Sequence, residues 1–163
     1  MTIHSDTNHT VLVRSANADD VLPLSYLFDA YRQFYGKAPD LALAHTFLAD
    51  RIRKQDSTIL VAIANDGEMA GFTQLYPTFS SVSAQEALIL NDLFVGTAYR
   101  KQGVGRVLLD AAINTARHKS VAWVSLQTAK TNTAAQSLYR SMGFVRDDYF
   151  DGYAYAFQAA TER

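Results

Sequence analysis

The chain comprises 163 residues, 48% hydrophobic and 19% charged, with a formal net charge of −1. That length and composition suit one globular domain with a sizeable core, and the near-neutral charge supplies no basic field for nucleic acid. The chain has no cysteine, which excludes disulfides, thiolate metal sites and a cysteine nucleophile, and no run approaches the roughly twenty apolar residues of a transmembrane helix.

Residues 1–10 are polar and lack the apolar stretch of a signal peptide, so they read as a flexible leader on a cytoplasmic protein. A short strand is expected at 11–14. Asn17, Asp19 and Asp20 then supply the cap and first-turn acids of a helix running to about Tyr35, with Leu24, Leu27, Phe28 and Tyr31 at helical spacing. Gly36 and Pro39 break it, and a second helix fits 40–54. The β-branched run 58–64, the turn at 65–68 and a returning strand at 69–76 form a hairpin. Pro77 is expected to end its regular pairing, and 80–85 reads as a polar loop. Strand 87–95, helix 104–118, strand 121–127 and helix 132–142 follow, the last closed by Gly143. Two closing strands are expected at 144–149 and 153–158. The order implies an α/β (α+β) fold with a mixed, mostly antiparallel central sheet of about six or seven strands, flanked by helices in one domain.

Between the strand at 87–95 and the helix at 104–118 lies Arg100-Lys101-Gln102-Gly103-Val104-Gly105. A strand, a basic glycine-rich turn and a helix start make an anion cradle. Backbone N–H groups at the helix N-terminus point outward at the positive end of the dipole, and glycine lets an anion approach closely. The position where a Rossmann fingerprint needs its third glycine is Leu108, and the Lys-Ser/Thr of a Walker loop is missing. A second pattern, Asn132-x-x-Ala135-x-x-Leu138-Tyr139-x-x-x-Gly143-Phe144, follows about thirty residues later, beyond one helix and one strand.

Together these two motifs resemble the GNAT superfamily of N-acetyltransferases, and the element order is similar to its fold. The N-terminal half, with its Tyr-rich first helix and the segment Gln74 to Ser81, looks like the branch containing small-amine, polyamine and histone-type enzymes. The resemblance implies acetyl transfer from acetyl-CoA to a primary amine, with no metal. It assigns Leu93, Phe94 and Val95 to backbone pairing with the pantetheine arm and to an oxyanion hole for the thioester. It assigns Arg100, Lys101, Gln102, Gly103, Val104, Gly105 and Arg106 to the pyrophosphate, and Asn132, beside Ala135, to the pantetheine arm.

The resemblance implies that Tyr139 lies near the thioester sulfur and makes it the candidate general acid, where the residue alone reads as a packing aromatic on a helix; a phenol of pKa about 10 is protonated at neutral pH and can donate to a departing thiolate of pKa about 8.5. Asp92, a polar residue between Leu88-Ile89-Leu90 and Leu93-Phe94-Val95, is the candidate general base, ammonium anchor or hydrogen-bonded strand residue. Polyamine-type relatives carry adjacent acids here; this chain has Asn91 in the first place. Tyr31, Tyr35, Tyr76 and Phe79 are candidates for an aromatic acceptor pocket able to hold a cation.

His45 and His118 are isolated, without metal-ligand spacing. Asp147, Asp148 and Asp151 read as solvated turn residues. The aromatic alternation from Tyr149 to Phe157 is similar to a final strand that joins a dimer in relatives, so a homodimer is expected. A small-molecule amine is the leading acceptor. A protein lysine and a non-catalytic acyl-CoA-binding sensor are the alternatives; no nucleic-acid or membrane partner is expected.

Overall fold

The computed structural model describes residues 11–157. In chain order the elements are β1 (Leu12–Ser15), α1 (Val21–Phe34), α2 (Leu41–Lys54), β2 (Thr58–Ile63), β3 (Met69–Ser80), β4 (Gln85–Val95), α3 (Val104–His118), β5 (Val124–Leu126) and α4 (Thr133–Ser141). Short 3₁₀ turns precede α1 (Ala18–Asp20) and α3 (Thr97–Tyr99). The strands lie in the order β1-β2-β3-β4-β5, antiparallel except for the parallel β4–β5 pair. That parallel pair is bridged by α3, because a parallel connection needs a crossover. Among the described residues no helix is long and apolar enough to cross a membrane.

Local chemistry sets the helix ends. Asn17 and Asp20 form a reciprocal capping box ahead of α1. Arg14 Nη1 and Nη2 bond the two carboxylate oxygens of Asp20 at 2.6 and 2.8 Å, tying β1 to the α1 start. Asp40 caps α2 by accepting from Leu43 N, and its own N–H donates to Asp29 of α1 at 2.9 Å. Gln55 ends α2 in the left-handed conformation.

The sheet separates two apolar layers. Leu24 and Phe28 of α1, with Ala44 and Leu48 of α2, pack on Ile59, Val61, Phe72 and Phe94. On the opposite face Leu108, Leu109, Ala112 and Ala116 of α3 pack on Leu60, Ala62, Leu75, Leu88 and Leu90. A break in the β3–β4 register sets which face each β4 residue takes. Gln74 pairs with Asp92 and Leu75 with Leu90, leaving Asn91 as the extra residue of a β-bulge. Upstream of it Leu88 and Leu90 face α3; downstream Asp92 and Phe94 face α1.

Four expectations are corrected. Pro77 does not end pairing: it stands opposite Leu88, and β3 continues to Ser80. Beyond Leu75 β2 no longer flanks β3, so Pro77 sits on an edge stretch, where a missing N–H is tolerated. β4 begins at Gln85, within the expected polar loop, because the extended hairpin pairs Ser80 with Gln85. β5 is confined to Val124–Leu126 rather than 121–127, since its ladder with β4 covers only Leu88 to Leu90.

The two closing strands do not form among the described residues, so the sheet has five strands rather than six or seven. The three-residue β5 offers too short a ladder to template another strand, and Val145, Tyr149, Phe150, Tyr153, Tyr155 and Phe157 stay exposed. Gln158 and residues 1–10 lie outside the described residues.

Candidate active site

The β4–β5 ladder stops at Leu90↔Leu126, but β4 runs on to Val95. The strands part there, and a cleft of about 520 Å³ opens between the free side of β4, the C-terminal half of α1, the turn before α3 and one face of α4. Of the residues expected in the site, Leu93, Phe94, Val95, Arg100, Lys101, Gly103, Val104, Gly105, Arg106, Asn132, Ala135, Tyr139, Tyr31 and Tyr35 all line it.

One end of the cleft is the cradle. Lys101 and Gly103 take left-handed conformations with φ of 61° and 82°, which turns the chain sharply into α3. Arg106 N and Val107 N both return to Gly103 O, while the N–H groups of Val104 and Gly105 have no partner within the helix, as at any helix start. Space at Gly105 is tight: a Cβ there would lie 3.3 Å from the Leu138 side chain of α4. The basic side chains divide their work. Lys101 is exposed. Arg100 curls back, donating Nε to Val95 O at 3.1 Å with its guanidinium over the Phe94 ring. Arg106 reaches α4, donating to Ser141 Oγ at 2.7 Å and to the Met142 sulfur. Gln102 donates to Ala98 O at 2.9 Å and lies outside the cleft lining, so its side chain shapes the turn.

The opposite wall is made by α4. Asn132 caps it, its Oδ1 accepting from Ala135 N at 3.2 Å, which leaves the amide N–H groups of Asn132 available to the cleft. Tyr139 packs against Phe144 at a centroid distance of 6.0 Å. Burial, and then the Tyr35 phenol, push its pKa upward, so Tyr139 is a protonated donor at neutral pH.

The third wall is aromatic. The Tyr31 ring meets Tyr35, Phe72 and Phe94 edge-on, and its hydroxyl lies 3.5 Å from Asn91 O. Burial, and then the charge of Asp92, raise its pKa far above the ordinary phenol range. Asp92 sits behind this wall, 4% exposed. Its Oδ2 accepts from Gln74 Nε2 at 2.9 Å and its Oδ1 from Asn91 Nδ2 at 3.1 Å; among the described residues no cation pairs with it. Burial raises the Asp92 pKa, opposed by hydrogen bonds from Gln74, Tyr31 and Asn91.

Two expected acceptor residues lie elsewhere. Tyr76 is outside the cleft lining; its hydroxyl accepts from Gln74 Nε2 at 2.7 Å, and burial raises its pKa to about 12. Phe79 projects from the far end of β3, 74% exposed. Phe34, Leu90, Asn91, Tyr99, Gln127, Thr128, Ala134 and Leu138 complete the lining and were not foreseen. Nor was Gln74, although an amide within Phe72-Thr73-Gln74-Leu75 carries the signal that marked Asp92, a polar group in an apolar strand. Among the described residues no cluster of His, Cys, Asp or Glu could hold a metal.

The profile of the "Acetyltransferase (GNAT) family" matches residues 24–144. The chain is 45% identical over 141 residues to the uncharacterized N-acetyltransferase YhfO of Bacillus subtilis (strain 168), covering 86% of this chain and 94% of that protein. Shorter matches include the streptothricin acetyltransferase of Streptomyces lavendulae, 36% identical over 55% of this chain and 45% of the relative. Another is the [ribosomal protein bS18]-alanine N-acetyltransferase of Escherichia coli (strain K12), 33% identical over 54% and 58%. The crystal structure of a probable acetyltransferase superposes with a TM-score of 0.86 at 34% identity, covering 91% of this chain and 99% of that one. A glycine-turned helix start, a protonated tyrosine and a splayed parallel strand pair around one cleft thus occur in a chain that belongs to the GNAT acetyltransferase family and is an N-acetyltransferase.

Proposed function

We propose that the protein transfers an acetyl group from acetyl-CoA to the primary amine of a small molecule by direct attack in a ternary complex. The observation that carries this reading is the shared cleft: the glycine turn into α3, the Tyr139 phenol and the Tyr31–Tyr35 wall all border one open cleft. The α3 N-terminus suits the pyrophosphate, and the free side of β4 offers backbone groups for the pantetheine arm and the thioester oxygen. Holding thioester and amine side by side supplies much of the rate.

In the reaction the neutral amine nitrogen attacks the thioester carbon, and the carbon–sulfur bond breaks. Asp92 receives the proton that nitrogen sheds, through Tyr31 or water, because it lies behind the Tyr31 wall. Its raised pKa makes it a stronger base than an ordinary aspartate. Tyr139 gives a proton to the thiolate, and solvent restores both groups. The cleft volume and the streptothricin acetyltransferase among the relatives support a small acceptor. The relative that acts on ribosomal protein bS18 supports a second reading, a protein amine.

The test is thiol release from acetyl-CoA against polyamines, amino acids, streptothricin-like and aminoglycoside amines, arylamines and peptides with a free amine. Release with a small amine supports the first reading, and release with peptides alone the second. Acetyl-CoA binding without release for any amine would turn the reading toward a sensor. We also propose a homodimer in which a second copy covers the exposed aromatics from Tyr149 to Phe157; sedimentation at a monomer mass would overturn it.

A further inference from the structure

We infer that Gln74 is a positioning residue for Asp92: its side-chain amide holds the carboxylate in place and keeps it ionised. The inference rests on the proposed role of Asp92 as base. Gln74 is fully buried in β3, directly opposite Asp92. Its Nε2 donates to Asp92 Oδ2 at 2.9 Å and to the Tyr76 hydroxyl at 2.7 Å, while its Oε1 accepts from Ser57 Oγ at 3.1 Å.

These contacts define the amide orientation. The Ser57 hydroxyl can donate, so it suits Oε1. The reverse orientation would set Oε1 against the carboxylate, lone pairs facing lone pairs. Ser57 therefore latches Gln74, and Gln74 points both its amide hydrogens at oxygen acceptors. Asp92 gains one amide hydrogen on each oxygen, from Gln74 and from Asn91.

Among the described residues the groups around Asp92 supply no cation that could do this instead. Tyr31 faces it from α1, Tyr76 from β3 and Asn91 from β4. Beyond Tyr76, Arg51 of α2 lies 3.1 Å from Asp56 and is paired there. A buried carboxylate without a cation is held ionised by neutral donors or not at all. Burial pushes Asp92 toward its neutral, non-basic form, and Gln74 is the leading opposing contact. The bulge at Asn91 makes the arrangement possible, because an unbulged β4 would turn Asp92 toward α3, away from Gln74.

The test uses Gln74→Met, of similar volume but without donors, and Ser57→Ala, which frees the latch. The Asp92 carboxyl is titrated by carbon NMR in the protein alone, its signal assigned by its loss in Asp92→Asn. The expected result is a midpoint raised by about one pH unit, a roughly tenfold change in proton affinity, in Gln74→Met, with a smaller rise in Ser57→Ala. Circular dichroism reports folding.

An unmoved midpoint in folded Gln74→Met would overturn the inference. Should that variant not fold, an unmoved midpoint in Ser57→Ala overturns it. Failure of the underlying reading is seen separately: full thiol release by Asp92→Asn would remove Asp92 from catalysis whatever the NMR midpoints.

Discussion

Asp92 and Gln74 stand opposite one another across the β3–β4 ladder, and the register breaks at the very next step, where Leu75 meets Leu90 instead of Asn91. The bulge therefore does two things at once. It turns a carboxylate into the α1 layer, and it leaves β4 bent where its ladder with β5 ends and the cleft opens.

Replacing Asp92 by Asn should lower kcat by about a hundredfold, the lower end of what general-base catalysis contributes, while leaving acetyl-CoA binding intact. Because burial raises the Asp92 pKa, its basic form is lost as pH falls through that raised value. The wild-type rate should therefore fall at a pH above the ordinary carboxylate range, and the Asn variant should lack that limb. The pH profile of kcat/KM for the amine checks this.

Tyr139→Phe should cut turnover by about a hundredfold or more without changing acetyl-CoA affinity, measured by calorimetry. Since burial raises the Tyr139 pKa, its donor form persists until pH climbs past the normal phenol range. Loss of rate from Tyr139 ionisation should appear only above pH ~10. Undiminished turnover in the Phe variant would remove Tyr139 from the chemistry.

Gly103→Ala and Gly105→Val probe the cradle by different routes. Gly103 holds a φ of 82° with open space around it, so alanine there meets backbone strain of about 1 kcal/mol and no collision. Gly105 faces the Leu138 side chain at 3.3 Å, so valine must displace that side chain and crowd α4. We expect a modest rise in the KM for acetyl-CoA with Gly103→Ala and a larger one with Gly105→Val, together with lower kcat because Tyr139 rides on α4. Steady-state kinetics separates the two.

Asp20→Asn should destabilise the fold by about 2 kcal/mol, the scale of losing hydrogen bonds to a charged partner, read from urea denaturation at pH 7. The bidentate bond from Arg14, which is partly exposed, holds the Asp20 carboxyl below its ordinary pKa. A depressed folded pKa gives stability that is fully present above the unfolded value, about 3.9, and is lost as pH falls through the folded one. The gap between wild type and variant should thus be full at pH 7 and shrink below pH ~4. A gap that is constant with pH would show that the ion pair contributes nothing.

Much of the architecture was legible because it rests on local chemistry. The α3 range expected from periodicity, 104–118, is the range observed. The hairpin at 65–68 and the cap at Asn17 were readable because turns and helix ends depend on the residues that form them. The glycine turn and Tyr139 were readable for the same reason: each lies in a short contiguous pattern. Less legible were Phe79, which does not reach the cleft, and Gln74, which does not border it yet holds Asp92.

By itself, then, the chain determined the helices, the hairpin, the glycine turn into α3 and the family, since each is carried by neighbours in sequence. Only the tertiary structure decided the strand count, the continuation of β3 past Pro77, and the face that Asp92 takes. A strict alternation through Leu88 and Leu90 would have sent Asp92 toward α3. The bulge at Asn91 reverses that, and a bulge is a property of two strands in register, invisible in either one alone.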